Sequence, residues 1–357
     1  MVSTYRRLEH RDATVRLTHA EIGSHPEAET TVLLAPDAIG VCRSDLREIN
    51  GTRHLRRDFG HEIVGTVVSS DPPGTVPTGQ RVVLDPHPAV GRTSGFADLV
   101  EIWGSRSDVT AALVPLPETS GTVRSVFVEP LACVCHCLGR LDSATQEAGA
   151  DPIGPVAILG AGMAGTLMAT VLDTSSVPVT LINRSRGRLS FLIDRGVLPP
   201  AALHTADGPL GPAVPRVIVA TAATDTGLLD LAAERVTPGG VVLLYAGTRP
   251  GQTYAGVDLD SLRREERTAR ITRAGKSFHI VGSHGATRED FVRAIHLLDP
   301  RTPGRQELPR RLDRMVTTVL SLDESADLLN RLARGPFMGK AVILPSPSPD
   351  STKGLGQ

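Results

Sequence analysis

Residues Pro155–Ser175 read PVAILGAGMAGTLMATVLDTS. An apolar run, VAIL, leads into three glycines and then into an apolar stretch long enough for a helix. Strand, glycine turn and helix make the opening of a βαβ unit. The pattern continues downstream. VPVTLINRS (177–185), PRVIVATAAT (215–224), PGGVVLLYAG (238–247) and SFHIVGSHG (277–285) read as strands, and TGLLDLAAERV (226–236) reads as a helix. Continuous apolar strands alternating with helices imply a parallel sheet covered on both faces. Between Ile193 and Pro212 the signal for a third strand is weak.

Upstream of Gly154 the texture differs. TTVLLAPDAIGVC (30–42), HEIVGTVVSS (61–70) and QRVVLD (80–85) are half-alternating, β-branched runs, and DPPGTVPTG (71–79) is turn chemistry. This predicts a mainly β domain. FVEPLACVCHCLGRL (127–141) then opens a helix, with Pro130 suited to its first turn. REDFVRAIHLLD (288–299) is amphipathic, with Phe291, Ile295 and Leu298 on one face. MVTTVLSLDESADLLNRLARG (315–335) and GKAVILP (339–345) read as strand, helix, strand and are expected to return to the β domain. The expected division is 1–148 for the first part of the β domain, 149–286 for the nucleotide-binding domain and 287–346 for the return. The polar Pro/Ser/Gly tail, 347–357, is expected to be disordered.

Size and composition narrow the function classes. A chain of 357 residues fits about two domains. With 40% hydrophobic and 22% charged residues it can bury a core in each. A net charge of −1 gives no reason to expect nucleic acid or an anionic membrane as a partner. No apolar run approaches the length of a transmembrane helix, and MVSTYRRLEHRDATVRL lacks the apolar core of a signal peptide. The four cysteines are Cys42, Cys133, Cys135 and Cys137. Three within five positions make no disulfide framework, so a reducing, cytoplasmic setting is expected.

The glycine turn has a chemical reading. Gly160, Ala161, Gly162, Met163, Ala164 and Gly165 form GxGxxG between a strand and a helix, where the backbone can approach a pyrophosphate at the helix N-terminus. About twenty residues on, an NAD site carries an acidic residue for the ribose hydroxyls. Here the strand ends in Asn183, Arg184, Ser185 and Arg186. A carboxylate there would repel a 2′-phosphate by about 4 kcal/mol per charge pair at an effective dielectric of 20, whereas arginine suits phosphate geometry. NADP(H) is therefore expected over NAD(H). The competing reading makes these arginines a solvated turn.

A second site is marked by GVCRSD (40–45) and GHEIVG (60–65). Cys42 and His61 are zinc-ligand types, Glu62 adjoins His61, and Glu129 lies at the start of the helix after the β domain. A Cys/His/Glu set can hold a tetrahedral zinc with one position open. Taken by residue type alone, a lone cysteine and histidine are more often core residues.

The ordered set GVCRSD, GHEIVG, GQRVVL, VEPLA and GAGMAG resembles the medium-chain dehydrogenase/reductase superfamily, in particular the zinc-dependent alcohol and polyol dehydrogenases. The resemblance covers nearly the whole chain. It implies an α/β fold, a GroES-like β domain plus a Rossmann domain with a doubly wound parallel sheet. It also implies one catalytic zinc on Cys42, His61, Glu62 and Glu129, with Glu129 standing where polyol dehydrogenases have glutamate. Ser44 is the implied proton-passing hydroxyl, and Asp45 the acid that orients His61. Arg43 is implied at the cofactor pyrophosphate, and Gly282 and Ser283 near the nicotinamide.

The chain departs from the family pattern in two places that matter. Arg47 replaces a histidine that often ends the proton relay, and arginine does not titrate usefully. LDPHPAVGRTSGFADLV (84–100) has no cysteines where many members carry a structural zinc lobe, so none is expected. Cys133, Cys135 and Cys137 with His136 read better as small buried helix residues than as a second metal site.

The expected activity is hydride transfer between NADP(H) and a secondary alcohol or ketone, with a polyol, sugar or aminocyclitol favoured. Arg47, Arg53 and Arg57 raise the alternative of an anionic phosphate, phosphonate or carboxylate alcohol, against which stands a solvated basic loop or subunit contact. A zinc-free quinone or alkene reductase of the same superfamily, or a non-catalytic nucleotide sensor, is the other alternative. A small-molecule substrate and a homo-oligomer, dimer or tetramer, are expected.

Overall fold

The computed structural model describes residues 4–53, 59–221, 226–273, 275–302 and 306–345. The predicted disordered tail, 347–357, lies outside the described residues, as does Arg57. The chain divides into two compact units. One comprises Met1–Glu129, Phe291–Asp299 and Val316–Gln357, and the other Pro130–Asp290 and Pro300–Met315.

The first unit is built on a sheet whose strands run in the order Val316–Ser321, Lys340–Leu344, Thr30–Gly40, Glu62–Asp71, Arg81–Leu84 and Leu113–Pro115. Val100–Gly104 also pairs with Thr30–Gly40. Leu34, Ile39, Ile63, Val67, Val82 and Phe96 lie in its core. The half-alternation of the central strand has a cause: its register with Glu62–Asp71 shifts between Leu33 and Leu34 and again between Pro36 and Ala38. Each irregularity resets which face the next residue occupies. The C-terminal strand pairs Val342 with Gly40, so the strand, helix, strand segment does join this sheet.

The second unit is a seven-stranded sheet in the order Leu203–Thr205, Val179–Asn183, Val156–Leu159, Val214–Val219, Val236–Leu244, Lys276–Gly282 and Thr268–Arg273. The first six strands are parallel, in the 3-2-1-4-5-6 order of a dinucleotide-binding sheet. The weakly signalled third strand is only three residues long, which explains its faint pattern. Thr268–Arg273 runs antiparallel at the edge. In its sequence, TARITR, the apolar residues Ala269 and Ile271 are each flanked by polar ones, so it lacks the apolar run that reveals its neighbours.

Candidate active site

Cys42 caps the N-terminus of the helix Arg43–Ile49, with extended backbone. Asp45, three residues on, reaches back and its Oδ2 accepts from the Cys42 backbone N–H at 3.0 Å. This is half of a capping box. The other oxygen of the same carboxylate accepts from the Gly60 N–H at 2.9 Å and from Nδ1 of His61 at 3.1 Å. One buried carboxylate thus ties together the two segments that carry Cys42 and His61. With Nδ1 committed to Asp45, Nε2 of His61 is the nitrogen left for a metal, and Oγ of Ser44 lies 3.5 Å from it. Asp45 has its acidity strengthened. Burial opposes its charge, but His61 and the two backbone donors outweigh that cost. His61 is held well above the usual histidine range: burial again opposes the charge, and Asp45 prevails.

Glu62 opens the strand after His61, opposite Gly40. Its carboxylate folds back over that glycine so closely that a Cβ there would fall 2.1 Å from Oε2. Oε2 also accepts from Nζ of Lys340, and both side chains are about 1% exposed. The Lys340 ammonium lies 5.6 Å from the Phe127 ring centre. Oε1 of Glu62 is buried and has no hydrogen-bond partner among the described residues.

Cys42, His61 and Glu62 each offer one ligand atom, and these atoms lie within 4.8 Å of one another. Tetrahedral zinc with ordinary bond lengths sets its ligands about 3.5 Å apart, so small side-chain adjustments close the trio on an ion. The unpartnered Glu62 oxygen and the thiol/imidazole donor set fit zinc. Glu129 is buried but stands outside this tight group. Burial and Glu62 push its carboxyl up, while His61, His87 and Lys340 pull it down.

Sequence reasoning missed two groups here. Lys340 is a fully buried lysine at the head of an apolar strand, a signal readable in GKAVILP. His87, in DPHP, donates from Nδ1 to Asp85 at 2.7 Å, and its charge is felt by Glu129. Arg43 is exposed, Arg47 donates to the Thr52 carbonyl at 3.1 Å, and Arg53 faces Glu48 at 3.7 Å.

In the second unit the three glycines differ in what they allow. Gly160 has φ +112°, a conformation L side chains rarely adopt. A Cβ on Gly165 would lie 2.0 Å from the Gly160 carbonyl oxygen, so this glycine lets the helix Met163–Thr174 close on the turn. A Cβ on Gly162 would meet nothing within 4 Å, leaving the helix N-terminus open for a bound anion. Ala161 donates to Oδ1 of Asn183 at 3.1 Å, so Asn183 props the turn itself. Ser185 caps the next helix, Arg184 is exposed, and Arg186 pairs with Asp207 at 3.2 Å in an exposed position. Gly282 passes close under the helix Leu259–Arg264, and Ser283 donates to the Leu244 carbonyl at 3.1 Å.

Residues 28–136 match the alcohol dehydrogenase GroES-like domain family. No curated protein shows significant sequence similarity to the chain. Among solved structures, a protein described as a zinc-binding dehydrogenase of Sinorhizobium meliloti, bound to NADP, is 20% identical with TM-score 0.67, covering 96% of this chain and 100% of its own. Galactitol-1-phosphate dehydrogenase of Escherichia coli is 18% identical with TM-score 0.68, covering 95% and 100%. 2R,3R-butanediol dehydrogenase of Bacillus subtilis is 17% identical with TM-score 0.66, covering 96% and 100%. At such identities the likeness concerns the fold. The domain match covers residues 28–136, and the structural likeness shows that the rest of the chain shares the fold of these dehydrogenases.

Proposed function

We propose that the protein is a zinc-dependent alcohol dehydrogenase that uses NADP(H). The observation that carries this reading is the Cys42/His61/Glu62 trio within 4.8 Å in a GroES-like alcohol dehydrogenase domain. The GxGxxG turn with an open helix N-terminus supports the nucleotide, and Arg184 with Arg186 supports the 2′-phosphate. Zinc, when bound, supplies Lewis acidity toward the substrate oxygen, and the nicotinamide supplies the hydride chemistry. Cys42, His61 and Glu62 would hold the ion, with Glu129 as the further ligand or neighbouring acid.

The chain's own residues do the rest. Asp45 orients His61 and anchors Cys42. Lys340 neutralises Glu62 and holds it in place. Ser44 sets a hydroxyl beside the imidazole, where it can take the proton of a substrate alcohol. Arg43 is assigned to the cofactor pyrophosphate, and Gly282 and Ser283 to the nicotinamide side. Arg47 cannot accept a proton, so the relay beyond Ser44 ends elsewhere or runs through water.

The substrate assigned is a secondary alcohol of the polyol, sugar or aminocyclitol class. The anionic-alcohol reading is weaker because Arg47 and Arg53 already face Thr52 and Glu48 of their own loop. The zinc-free reductase reading leaves the Cys42/His61/Glu62 trio without purpose. No helix among the described residues is long and apolar enough to cross a membrane. None of the four cysteines forms a disulfide, which supports a cytoplasmic setting, and a dimer or tetramer is the assembly we infer.

Elemental mass spectrometry on protein purified without added metal or chelator tests the reading. The expected result is about one zinc per chain, with turnover of polyols and NADP⁺. Protein that neither carries nor takes up zinc refutes the ligand assignment and promotes the zinc-free reductase.

A further inference from the structure

His136 was set aside by the sequence as part of a false metal motif, yet both of its ring nitrogens are engaged within the second unit. Nδ1 meets Oδ2 of Asp290 at 2.9 Å, and Nε2 meets Oε1 of Glu266 at 2.8 Å. Each ring nitrogen that carries a hydrogen donates to the carboxylate oxygen it faces. The same two oxygens accept from the segment that follows the sixth parallel strand. Oε1 of Glu266 accepts the His284 N–H at 2.7 Å. Oδ2 of Asp290 accepts the Thr287 N–H at 3.0 Å and the Thr287 hydroxyl at 2.7 Å.

One imidazole therefore closes a ring of contacts around both ends of His284–Thr287. Burial pushes up the thiol of the neighbouring Cys137, and the Ser283 side chain just before the segment pulls it down. Arg140, one turn on, donates to the Glu266 carbonyl, and Glu266 itself sits at φ +51°. Such backbone persists only where surrounding contacts over-determine it.

This segment leaves the C-terminal end of Lys276–Gly282. In a sheet of order 3-2-1-4-5-6 a dinucleotide spans the strand ends, with its adenosine half over the strands on the Leu203–Thr205 side. The other half then lies over the side that holds Lys276–Gly282. We propose that His136 is a positioning residue that clamps Ser283–Thr287 in the shape that receives the nicotinamide half of the cofactor. The proposal rests on the dehydrogenase reading above. His136 touches no reacting atom; it acts through Glu266 and Asp290 on a backbone segment.

The test is His136→Ala in the full-length protein, read in three ways. Hydrogen exchange on cofactor-free protein is expected to quicken about tenfold or more at the His284 and Thr287 amides while the Gly160–Gly165 turn is unchanged. The NADPH Kd is expected to rise about tenfold. Turnover at saturating cofactor is expected to stay within about twofold, with zinc content unaltered. A merely structural role would lower the Tm without this split between cofactor affinity and turnover. His136→Gln, which can serve only one carboxylate well, gives a smaller shift in the same sense and replaces the alanine variant if that fails to fold. Unchanged exchange, or an unchanged Kd beside a wild type that binds NADPH, overturns the clamp alone. A wild type that binds no nicotinamide nucleotide defeats the proposed function itself, and the cofactor role of His136 with it.

Discussion

The two candidate sites are built on opposite principles. In the first unit the site is made of side chains, each fixed by another: Asp45 holds Cys42 and His61, and Lys340 holds Glu62. In the second unit the site is made by leaving side chains out, with Gly160 free to turn, Gly162 open and Gly165 letting the helix close. A metal needs donors of fixed charge and direction, so its site is a network. A pyrophosphate needs close backbone approach and a helix N-terminus, so its site is a gap. The two should therefore fail independently and in different ways.

The sharpest break of that independence is a crossed pair of variants. Cys42→Ser should lower kcat/KM about a thousandfold or more, roughly 4 kcal/mol of transition-state stabilisation. Zinc content should fall with it, while the NADP(H) Kd stays within about twofold. Gly165→Ala forces a methyl against the Gly160 carbonyl and should weaken nucleotide binding about a hundredfold with zinc content intact. Calorimetry of NADPH binding and metal analysis on both variants decide the matter. If either substitution removes both cofactors, the sites are coupled.

A smaller effect probes the network alone. Asp45→Asn keeps the shape but loses the charge that orients His61, and zinc affinity should drop about 10- to 100-fold. The pH dependence has a definite sign. Asp45 holds the His61 ring protonated above the ordinary histidine range in the metal-free site, and zinc must displace that proton. Affinity in the wild type should thus fall as pH is lowered, with proton release on zinc uptake near neutrality. In the asparagine variant that fall should move to lower pH. Zinc titration against a competing chelator at several pH values measures both. An unchanged profile would mean that Asp45 does not govern the proton.

The smallest effect concerns specificity in the gap. Arg184→Ala with Arg186→Ala should shift the preference for NADP(H) over NAD(H) by about tenfold, read from the ratio of kcat/KM values. Arg186 already shares an exposed pair with Asp207, so Arg184 should account for the larger part. No shift would return both arginines to the status of a solvated turn.

The two principles also explain what could be read from the chain. The gap is legible because it is local: GAGMAG, its strand and its helix are contiguous, and their periodicities survive in the sequence. The proposed ligands can be picked out by motif, since CRSD and GHE keep their spacing on the elements that present them. The pairing of Lys340 with Glu62 cannot be, because the two stand 278 residues apart and nothing near either residue announces the other. Asn183 shows a different limit. Its place after the second strand marked it for the ribose, but the structure also employs its side chain to prop the glycine turn. A position can be read from spacing, but the atoms it serves cannot. The partners of His136 were hidden for the same reason, since Glu266 and Asp290 arrive from distant segments to meet it.

The pairing of Lys340 with Glu62 has a consequence for how the molecule comes into being. On a ribosome, Cys42, His61 and Glu62 emerge early, and the whole nucleotide-binding unit is made before the strand bearing Lys340 appears. Until that strand inserts beside Gly40, the Glu62 carboxylate has no counter-charge, and sealing it away alone is strongly unfavourable. The first unit must stay ajar while the second is synthesised. Its last strand acts as a latch, so a nascent chain stopped short of residue 340 should bear every proposed metal ligand and still lack a finished metal site.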